Sequence, residues 1–494
     1  MESVYVAVKL TDGNDGASGE VAKLTVNGGT LKGYYYGISG NGTRHGTEVV
    51  INGGAITAAN AEEGTAIYHP QDGLLTVNGG TVSAPTGIEM RSGTLTVNAG
   101  AIKSTASTFD EKGNGSGTTM TGVAVAVSQH VTDKDLKVVI NGGTLTGPYA
   151  LYEKDLQNET GTKALEIKDG IFEGQVYSKN CTAFIKGGTF SDVNALNYFA
   201  DNANVSMKLD KDCSISAFNL EKKDAKVEVD LATHTLTLSA VSQISATASF
   251  KNGNISTKEM IKGMGGKLKF DKVHISGPNY ALWVQGPNAK LEVINALIEA
   301  NYFSISTDAT LQGGGLLYGG ADIMLKDSKF IAGETGFMTN VSPSTVNIEN
   351  CEFSGNHQAA FLRGGTYTIK NSSFTLKAEL ESTHSENNHM KQWQDGNRAA
   401  FAGITIGNYL SSAYQYPTTV AMTGVTVKVE GTHASSFPAV HVCANATDSK
   451  GVTLTYDTTC SFTSTYNPAV EYGTANITVN GEAVKSNVKQ ETSN

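Results

Sequence analysis

The sequence predicts an all-β protein built from two tandem, right-handed parallel β-helices (β-solenoids) with three short strands in each coil. The first observation behind this prediction is a phrase that recurs in the first half of the chain, an apolar strand followed by Asn-Gly-Gly or a close variant. The last glycine of the phrase falls at positions 29, 54, 80, 100, 143, 170 and 188. A repeat of about 20 to 50 residues is typical of solenoids. We interpret the longest step, 43 residues from 100 to 143, as two turns of the repeat.

The second observation is the pattern inside one period, which is clearest in residues 75–94. Apolar and polar residues alternate over three short runs, and small turn-forming residues separate the runs. The side chains predicted to face the interior of this coil are those of Leu75, Val77, Val82, Ala84, Ile88 and Met90. Glu89 lies between two of them and is predicted to face outward. Three strands joined by three corners make one coil of a parallel β-helix.

A single coil cannot fold alone. Its five or six buried aliphatic side chains contribute about 1.5 to 3 kcal/mol each, whereas ordering the backbone costs about 1 to 2 kcal/mol for every residue. Stacked neighbours must cover the apolar faces and pair the backbone groups. The corner asparagines would then stack and pass side-chain amide hydrogen bonds from coil to coil. We interpret them as structural residues: Asn27, Asn52, Asn78, Asn98 and Asn141.

The third observation is a different phrase in the second half of the chain. An apolar residue, one variable residue and Asn or Asp precede another apolar residue three places on. The final apolar residue falls at positions 255, 275, 298, 330, 353 and 374. The period is similar to that of the first phrase, so the same architecture is expected.

The change of phrase predicts two domains, which we place at residues 1–206 and 207–494. The first phrase ends near Phe190, and Asp192 begins a short stretch with helical spacing that predicts a capping turn near 192–200. Such a turn would cover the open edge of the last coil. The first strand phrase begins close to the start of the chain without a cap, which indicates a piece cut from a longer protein.

Composition narrows the range of functions. Charged residues make up 17% of the chain, the formal net charge is −10, and Lys and Arg are scattered, so nucleic acid is not an expected partner. The five cysteines are widely spaced without a C-x-x-C motif, which predicts neither a zinc site nor a disulfide framework. Cys351 lies in a strand phrase and is predicted to be a small buried hydrophobe. No run is long and apolar enough to span a membrane. We predict a monomer without metal, cofactor or membrane insertion.

Three phrases carry a resemblance to a known family. They are Gly64–Pro70 (GTAIYHP), Thr86–Arg91 (TGIEMR) and Gly187–Ser191 (GGTFS). They resemble right-handed parallel β-helix proteins of the pectin-lyase-like class, in particular adhesin-like surface proteins of gut commensal bacteria. The resemblance extends over nearly the whole chain, and its motifs specify the fold without specifying a chemistry. It implies a secreted or cell-surface location and a binding role.

On a stacked fold, function belongs to outward side chains and to loops that interrupt the period. Two long insertions are expected in the second helix, near 306–322 and 378–398. The first is rich in glycine but lacks the Lys-Ser or Lys-Thr of a phosphate loop, so we interpret it as an excursion. The second contains His384, His389 and Trp393 among several carboxylates. The histidine spacing matches no closed metal set, which leaves a solvated loop and a ligand-binding loop as alternatives.

Aromatic residues supply the other candidates for binding. In the run Tyr34-Tyr35-Tyr36, alternate rings of a strand would face outward, and Trp283 would face away from Leu282 and Val284 if those two lie in the core. An exposed ring offers an apolar face with a polar rim, which suits a sugar or a protein. The predicted ligand-binding residues are Trp393, His384, His389, Tyr35 and Trp283.

Two alternatives to a binding scaffold stay open. A polysaccharide lyase or glycoside hydrolase needs grouped outward carboxylates on neighbouring coils. The successive strand phrases offer no Asp-Asp or Asp-x-Asp, so the first catalytic candidates lie in the second insertion: Glu386, His389, Asp395 and Arg398. The other alternative is a glycan-binding protein similar to a phage tailspike, although the sequence contains no heptad segment to hold a trimer.

The function that we predict is therefore that of a bacterial extracellular protein, secreted or attached to the cell surface. We favour a rigid display scaffold over an enzyme, and the lyase or hydrolase stays the alternative. The expected partner of the scaffold is a host or dietary glycan, or a host surface protein.

Overall fold

The structure is a computed structural model, and the residues it describes are 5–11, 21–40, 45–112, 120–129, 134–155, 161–286, 289–307, 311–312, 315–316, 320–339, 343–379, 390–392, 398–408, 416–444, 451–473 and 476–487. The chain forms two compact units. Unit 1 comprises Met1–Asp210 and Asp224–Val229, and unit 2 comprises Lys211–Lys223 and Asp230–Asn494. Each unit is a stack of short strands in parallel ladders, which confirms the predicted all-β solenoid fold.

Three parallel ladders form unit 1. The first ladder consists of Ala22–Val26, Thr47–Ile51, Gly73–Val77, Gly93–Val97, Leu136–Ile140, Lys163–Ile167 and Ile185–Phe190. The second consists of Thr30–Gly33, Ala55–Ala58, Thr81–Ala84, Ala101–Ser104, Thr144–Glu153 and Ile171–Ser178. The third consists of Val6–Lys9, Tyr36–Ser39, Thr65–His69, Thr86–Met90 and Val123–Val127, and it continues into the later parts of Thr144–Glu153 and Ile171–Ser178.

The core of unit 1 is made of apolar rows that run from coil to coil. One row, in direct register along the first ladder, consists of Val49, Leu75, Leu95, Val138 and Leu165. All five side chains are buried. The six interior side chains predicted for the coil at residues 75–94 are buried as well. Alternation with period two therefore identified the interior correctly, because successive strand side chains point to opposite faces.

The Asn-Gly-Gly corners stack as predicted. Four asparagines each donate a side-chain amide hydrogen bond, at 2.8 to 2.9 Å, to the asparagine one coil earlier, and Asn27 accepts the first of these bonds. The donors are Asn52, Asn78, Asn98 and Asn141. The second glycine of the phrase has a positive φ, for example +91° at Gly54 and +81° at Gly80. Only glycine adopts this conformation without a steric penalty from Cβ.

The step of 43 residues is one coil, so our interpretation of it as two turns was wrong. Leu95 pairs with Val138 and Ile102 with Leu145, which makes the strands on either side of the extra residues direct neighbours. The extra residues leave the coil near Thr105 and contain a short antiparallel pair, Asp110–Glu111 with Met120–Thr121. The apolar residues of this excursion pack on the outside of the third ladder instead of entering the core: Phe109 and Met120 contact the cluster of Val123, Ala126 and Tyr152.

Glu89 was predicted to face outward, and its side chain is nevertheless fully buried. It lies in register with Tyr68 on one side and Ala126 on the other. Ala126 belongs to the cluster that the excursion covers. Oε1 of Glu89 forms a 3.0 Å ion pair with Nη2 of Arg91, which is also fully buried. The excursion therefore adds a second layer of side chains on the outer face of the third ladder. The alternation pattern places the Glu89 carboxylate on that outer face, and the carboxylate is buried there.

The stretch that begins at Asp192 forms a 3₁₀ helix, Val193–Tyr198, and the Asp192 side chain accepts a hydrogen bond from the Asn194 backbone N–H. The strand Phe199–Lys208 follows and pairs in parallel with Ile185–Phe190. The next strands in the chain are Cys213–Ile215 and Lys226–Asp230. The parallel pairing thus continues beyond the 3₁₀ helix.

Three parallel ladders also form unit 2. The first consists of Thr247–Thr257, Lys267–Gly277, Lys290–Ile294, Asp322–Lys326, Thr345–Glu349, Gly365–Lys370, Thr418–Thr423, Val452–Tyr456 and Ile477–Val479. The second consists of Cys213–Ile215, Thr235–Leu238, the later parts of Thr247–Thr257 and Lys267–Gly277, then Leu297–Ala300, Lys329–Ala332, Glu352–Gly355, Ser373–Lys377, Thr426–Glu430 and Ser461–Thr463. The third consists of Ser242–Ile244, Ile261–Met264, Tyr280–Gln285, Phe303–Thr307, Thr335–Met338, Gln358–Leu362, Ala402–Asn408, Val440–Ala444 and Val470–Tyr472.

The Asn or Asp of the second phrase lies at the corner between the first and second ladders of unit 2. The residue at this position has a φ between +48° and +59° on successive coils, and Lys272 is the one of the six that is neither Asn nor Asp: Asn252, Lys272, Asn295, Asp327, Asn350 and Asn371. Asn and Asp tolerate this left-handed conformation better than other side chains because they hydrogen-bond locally. The apolar residue three places on enters the core. There Phe330, Phe353 and Phe374 stack with centroid distances of 4.6 and 4.7 Å.

The remaining elements of unit 2 lie outside the parallel ladders. Both insertions predicted from the sequence contain a short antiparallel pair: Leu311–Gln312 with Gly315–Leu316, and Met390–Gln392 with Arg398–Ala400. A 3₁₀ turn covers Ala434–Ser436. Glu482–Ala483 pairs antiparallel with Ile477–Val479 and so occupies an edge of the first ladder.

Candidate functional site

An open groove of about 550 Å³ lies along the second ladder of unit 2. Its walls and floor come from the last residues of successive strands and from the corners that follow them: Ser256, Thr257, Ser276, Gly277, Pro278, Glu299, Ala300, Asn301, Ile331, Ala332, Gly333, Asn356 and Lys377. We call this feature the corner groove. It crosses the strands: the first four coils contribute two or three residues each to its lining, and the last two contribute one each, Asn356 and Lys377.

The repeat pattern explains why a groove forms at this corner. The strand ends carry small side chains, Gly277, Ala300 and Ala332, in register on consecutive coils. The chain then turns sharply, and an added Cβ at Gly333 would lie 2.1 Å from the Asn301 carbonyl oxygen. A larger residue does not fit in such a turn. Small residues in the same row leave a continuous depression.

Outward side chains from the same strands form one wall of the corner groove. Ser256, Ser276, Glu299 and Ile331 follow one another in register. Each comes directly after a core residue of the repeated phrase, so its side chain points away from the interior. The wall therefore presents hydroxyl, carboxylate and aliphatic groups at the regular spacing of the coils.

Aromatic residues follow the corner groove along the chain. Tyr302 comes directly after Asn301 and is 40% exposed. Its ring stacks on that of Tyr280 with a centroid distance of 6.5 Å and an interplanar angle of 27°. Tyr280 in turn packs on Phe303 at 5.0 Å and on Trp283 at 5.5 Å. These contacts fix the orientation of Tyr280, which supports the exposed ring of Tyr302.

One ion pair lies in the wall of the corner groove. Nε2 of His274 is 2.7 Å from Oε2 of Glu299, and both side chains are 41% exposed. The two residues come from adjacent coils, since His274 is in register with Leu297, two residues before Glu299. His274 also lines a second open groove of about 540 Å³ at the opposite end of these strands. The Glu299 carboxylate therefore has a hydrogen-bonding partner on the adjacent coil.

The predicted ligand-binding residues fall into two groups. Trp393, His384 and His389 lie outside the described residues, as do the catalytic candidates Glu386 and Asp395. The backbone of Arg398 begins a strand, but its side chain is also outside the described part of the chain. Binding or catalysis by the second insertion therefore stays a prediction.

Tyr35 and Trp283 are both half-buried. The Tyr35 ring contacts three other tyrosines, with centroid distances of 5.3 Å to Tyr5, 4.9 Å to Tyr34 and 6.4 Å to Tyr36. Tyr5 and Tyr34 are the exposed members, at 65% and 45%. Tyr5 and Tyr34 therefore present more of their side chains to solvent than Tyr35 does.

Trp283 lies between the core residues Leu282 and Val284, as its strand pattern predicted. Nζ of Lys262, from the preceding coil, is 4.9 Å from the centre of the indole ring. This cation–π contact occupies one face of the ring. The indole N–H is buried and has no hydrogen-bond partner among the described residues.

His69 is a titratable residue of unit 1 whose side chain is buried. Nδ1 of His69 lies 3.2 Å from the Ser92 carbonyl oxygen, and Nε2 lies 3.1 Å from the Thr47 hydroxyl. A carbonyl only accepts, so Nδ1 carries the proton and Nε2 accepts from Thr47. Burial lowers the pKa of His69 to about 4. This neutral, enclosed imidazole cannot contact a substrate.

The thiol of Cys351 is buried, as the strand phrase predicted, and burial raises its pKa to about 11. A thiol with such a pKa is a poor nucleophile near neutral pH. The described side chains include no group of three or more His, Cys, Asp or Glu residues arranged to hold a metal ion. Among the residues placed by the structure, no helix has the length and apolarity to cross a bilayer.

The corner groove was missed from the sequence, although its signal is present there. The residue after the last apolar position of the second phrase is Ser256, Ser276, Glu299 or Ile331. Aligning the phrases by that apolar position would have placed these residues in one outward row. The depression itself depends on the turn that follows each strand, and the sequence pattern did not reveal its depth.

No known protein family, curated protein or solved structure matches the chain. The evidence for a function therefore comes from the corner groove and from the tyrosines beside it.

Proposed function

We propose that this chain is a bacterial extracellular β-solenoid that binds a glycan in the corner groove of unit 2. The proposal includes a place among adhesin-like, pectin-lyase-like surface proteins, either secreted or attached to the cell. The stacked coils would act as a rigid scaffold that holds the groove away from its point of attachment. The glycan would come from the host or from its diet.

The observation that carries the proposal is an open polar groove beside an exposed aromatic ring. Sugars are recognised by hydrogen bonds to their hydroxyl groups and by packing of their apolar faces on aromatic rings. The corner groove supplies hydroxyl and amide groups from Ser276, Asn301 and Asn356, and the ring of Tyr302 follows directly. A binding site for a protein partner would instead be expected to present a broad apolar patch.

Binding is favoured over catalysis by the number of carboxylates. Glycoside hydrolysis commonly uses two carboxyl groups on either side of the bond to be cleaved. Among the described residues that line the corner groove, Glu299 alone carries a carboxylate, and it is held by His274 at 2.7 Å. The buried pair of Glu89 and Arg91 in unit 1 is closed to solvent. We therefore favour a binding protein over a lyase or hydrolase.

The proposal can be tested with the whole chain on an array of mucin-type and plant-type glycans. We expect binding to at least one class, and we expect Tyr302→Ala to weaken it about tenfold or more, because an aromatic contact contributes on the order of 1 kcal/mol beyond its burial. Tyr302→Phe keeps the ring and should bind nearly as well as the wild type.

Tyr34→Ala is the matched control, since Tyr34 is a tyrosine of similar exposure in unit 1, 45% against 40% for Tyr302. It should leave binding unchanged. Failure of the chain to bind any glycan on the array would reject the proposal. Equal binding by the wild type and by Tyr302→Ala would show that the glycan binds elsewhere on the chain and not in the corner groove.

A further inference from the structure

The direction of the corner groove limits the shape of its ligand. Its outward wall runs in register from Ser256 through Ser276, Glu299 and Ile331, and the same row continues through Ser354 to Thr375. Lys377 follows Thr375 closely and lines the far end. Parallel strands lie about 4.8 Å apart. Six coils and five steps therefore give the groove a length of about 24 Å along the stack.

The contacts offered by the groove repeat along this direction. Successive coils present Ser256, Ser276 and Glu299 on the wall, and the corners present Asn301 and Asn356. A compact ligand, such as a single terminal sugar, would use one or two coils and leave the others empty. An extended chain would meet polar side chains on most coils and the aliphatic side chain of Ile331 on the fourth. The repeated lining thus fits a repeated ligand.

The charges in the groove limit the ligand further. In its middle lies the Glu299 carboxylate, 2.7 Å from His274 and 41% exposed. The other lining residues between the two ends are uncharged in the part of the chain that the structure describes. A glycan with a carboxylate on every sugar would place negative charge beside Glu299, which is unfavourable. The hydroxyls of an uncharged glycan find donors and acceptors there without this repulsion.

We propose that the corner groove binds an uncharged, unbranched glycan that lies along the axis of the solenoid and contacts successive coils. This inference rests on the proposed function, and it adds the class and the orientation of the ligand. A branched or terminal determinant would protrude from the groove after one or two sugars. An acidic polysaccharide would meet Glu299 at the centre.

The test is a series of oligosaccharides of increasing length, measured by calorimetry with the whole chain. The neutral probes are cello-, malto- and manno-oligosaccharides, and the acidic probes are oligogalacturonates of the same lengths. We expect the dissociation constant of the best neutral series to fall at least tenfold from the shortest to the longest members and then to level off once the groove is filled. The acidic series should bind at least tenfold more weakly at equal length.

Variants at the two ends of the groove test the orientation. Ser256→Trp and Lys377→Trp place a bulky side chain at opposite ends, on outward or exposed positions. Each should weaken binding of long oligomers at least fivefold and leave short ones nearly unaffected. Thr453→Trp is the control, an exposed strand position on the first ladder of unit 2. It should change nothing.

The outcomes separate this inference from the function on which it rests. Glycan binding that does not depend on chain length, or that is tighter for the acidic series, overturns the inference and leaves the proposed function standing. Loss of binding in only one of the two end variants rejects the axial orientation. If the chain binds no glycan on the array or in the length series, both proposals fail.

Discussion

At the scale of the residue, both repeated phrases serve one backbone requirement. A corner of each coil needs a residue in the left-handed region, with φ of +91° at Gly54 in unit 1 and +51° at Asn295 in unit 2. Unit 1 meets this requirement with glycine and adds a ladder of asparagine amides beside it. Unit 2 uses Asn or Asp at the left-handed position itself, with Lys272 as an exception on one coil. The two phrases thus differ in composition because they meet the same constraint in different ways.

His69 should make unit 1 sensitive to acid. Its pKa falls to about 4 in the folded chain from an ordinary value of 6.5, because burial disfavours the charged ring. A lowered histidine pKa contributes stability that is complete above pH 6.5 and declines as the pH falls towards 4. Over this window the free energy of unfolding should fall by about 3 kcal/mol, because each tenfold difference in proton affinity between the folded and unfolded chain corresponds to about 1.4 kcal/mol.

Hydrogen exchange of the amides in residues 65–97 at pH 7 and at pH 4.5 measures this loss. His69→Gln removes the titrating group, so the difference in protection between the two pH values should be smaller in the variant than in the wild type. His45→Gln changes an exposed histidine and should behave as the wild type does. Equal pH dependence in wild type and His69→Gln would show that His69 does not control the acid response.

At the scale of the element, the coil is limited by how closely its corners stack. An added Cβ at Gly80 would lie 2.6 Å from the Gly54 carbonyl oxygen, one coil away. At Gly29, with φ of +80°, no atom lies within 4 Å of the added carbon, and the same holds for Gly28, which has no positive φ. These three glycines, two from the phrase at Asn27 and one from the phrase at Asn78, therefore separate the effect of backbone strain from that of steric contact.

The loss of stability caused by an alanine substitution should increase from Gly28 through Gly29 to Gly80. Gly28→Ala should leave the melting temperature nearly unchanged. Gly29→Ala should lose about 1 to 2 kcal/mol, the penalty of an L-residue in the left-handed region. Gly80→Ala should lose more, because the methyl group also meets the neighbouring coil. Thermal unfolding by circular dichroism gives the ranking, and equal stability of the Gly29 and Gly80 variants would contradict the steric argument.

Individual strands were predictable from the sequence, whereas the path of longer segments was not. Alternation identified the interior residues from Leu75 to Met90, since a strand side chain has only two directions. The 43-residue step gave the length of the extra segment but not its route. Phe109 and Met120 are apolar wherever they pack, and their place on the outer face of the third ladder depends on Val123 and Tyr152, which come from other strands.

At the scale of the whole molecule, the chain is divided into two compact units, and each coil packs on its immediate neighbours. In such a stack a single defect in the core disrupts the coils on both sides. Val77 is fully buried in the interior row of the first ladder. Val77→Asp places an unpaired carboxylate there, which costs several kcal/mol.

We expect Val77→Asp to unfold unit 1 and to leave unit 2 folded. Hydrogen exchange should show loss of protection in peptides from residues 45–112 and retained protection in peptides from residues 289–379. Leu74→Asp is the control, since Leu74 belongs to the same strand and is 53% exposed. Loss of protection in both units would contradict independent folding of the two.

Only part of the candidate site could be predicted from the sequence. Trp283 was identified because it interrupts a strand pattern as an outward aromatic residue, but its contact with Lys262 on the preceding coil depends on register. The pairing of His274 with Glu299 also depends on register, because 25 residues separate them along the chain. An insertion shifts sequence spacing without shifting coil position, so distance along the sequence does not identify such pairs.

The sequence by itself determined the all-β class, the period of the coils, the interior rows and the corner asparagines, because these follow from local alternation and from the backbone conformation that each residue tolerates. Tertiary structure alone decided the route of the excursion beyond Ser104, the burial of Glu89 with Arg91, and the corner groove. These features arise where residues of different coils meet, and that meeting is fixed by the register of the ladders and by the volume of the side chains that fill each corner.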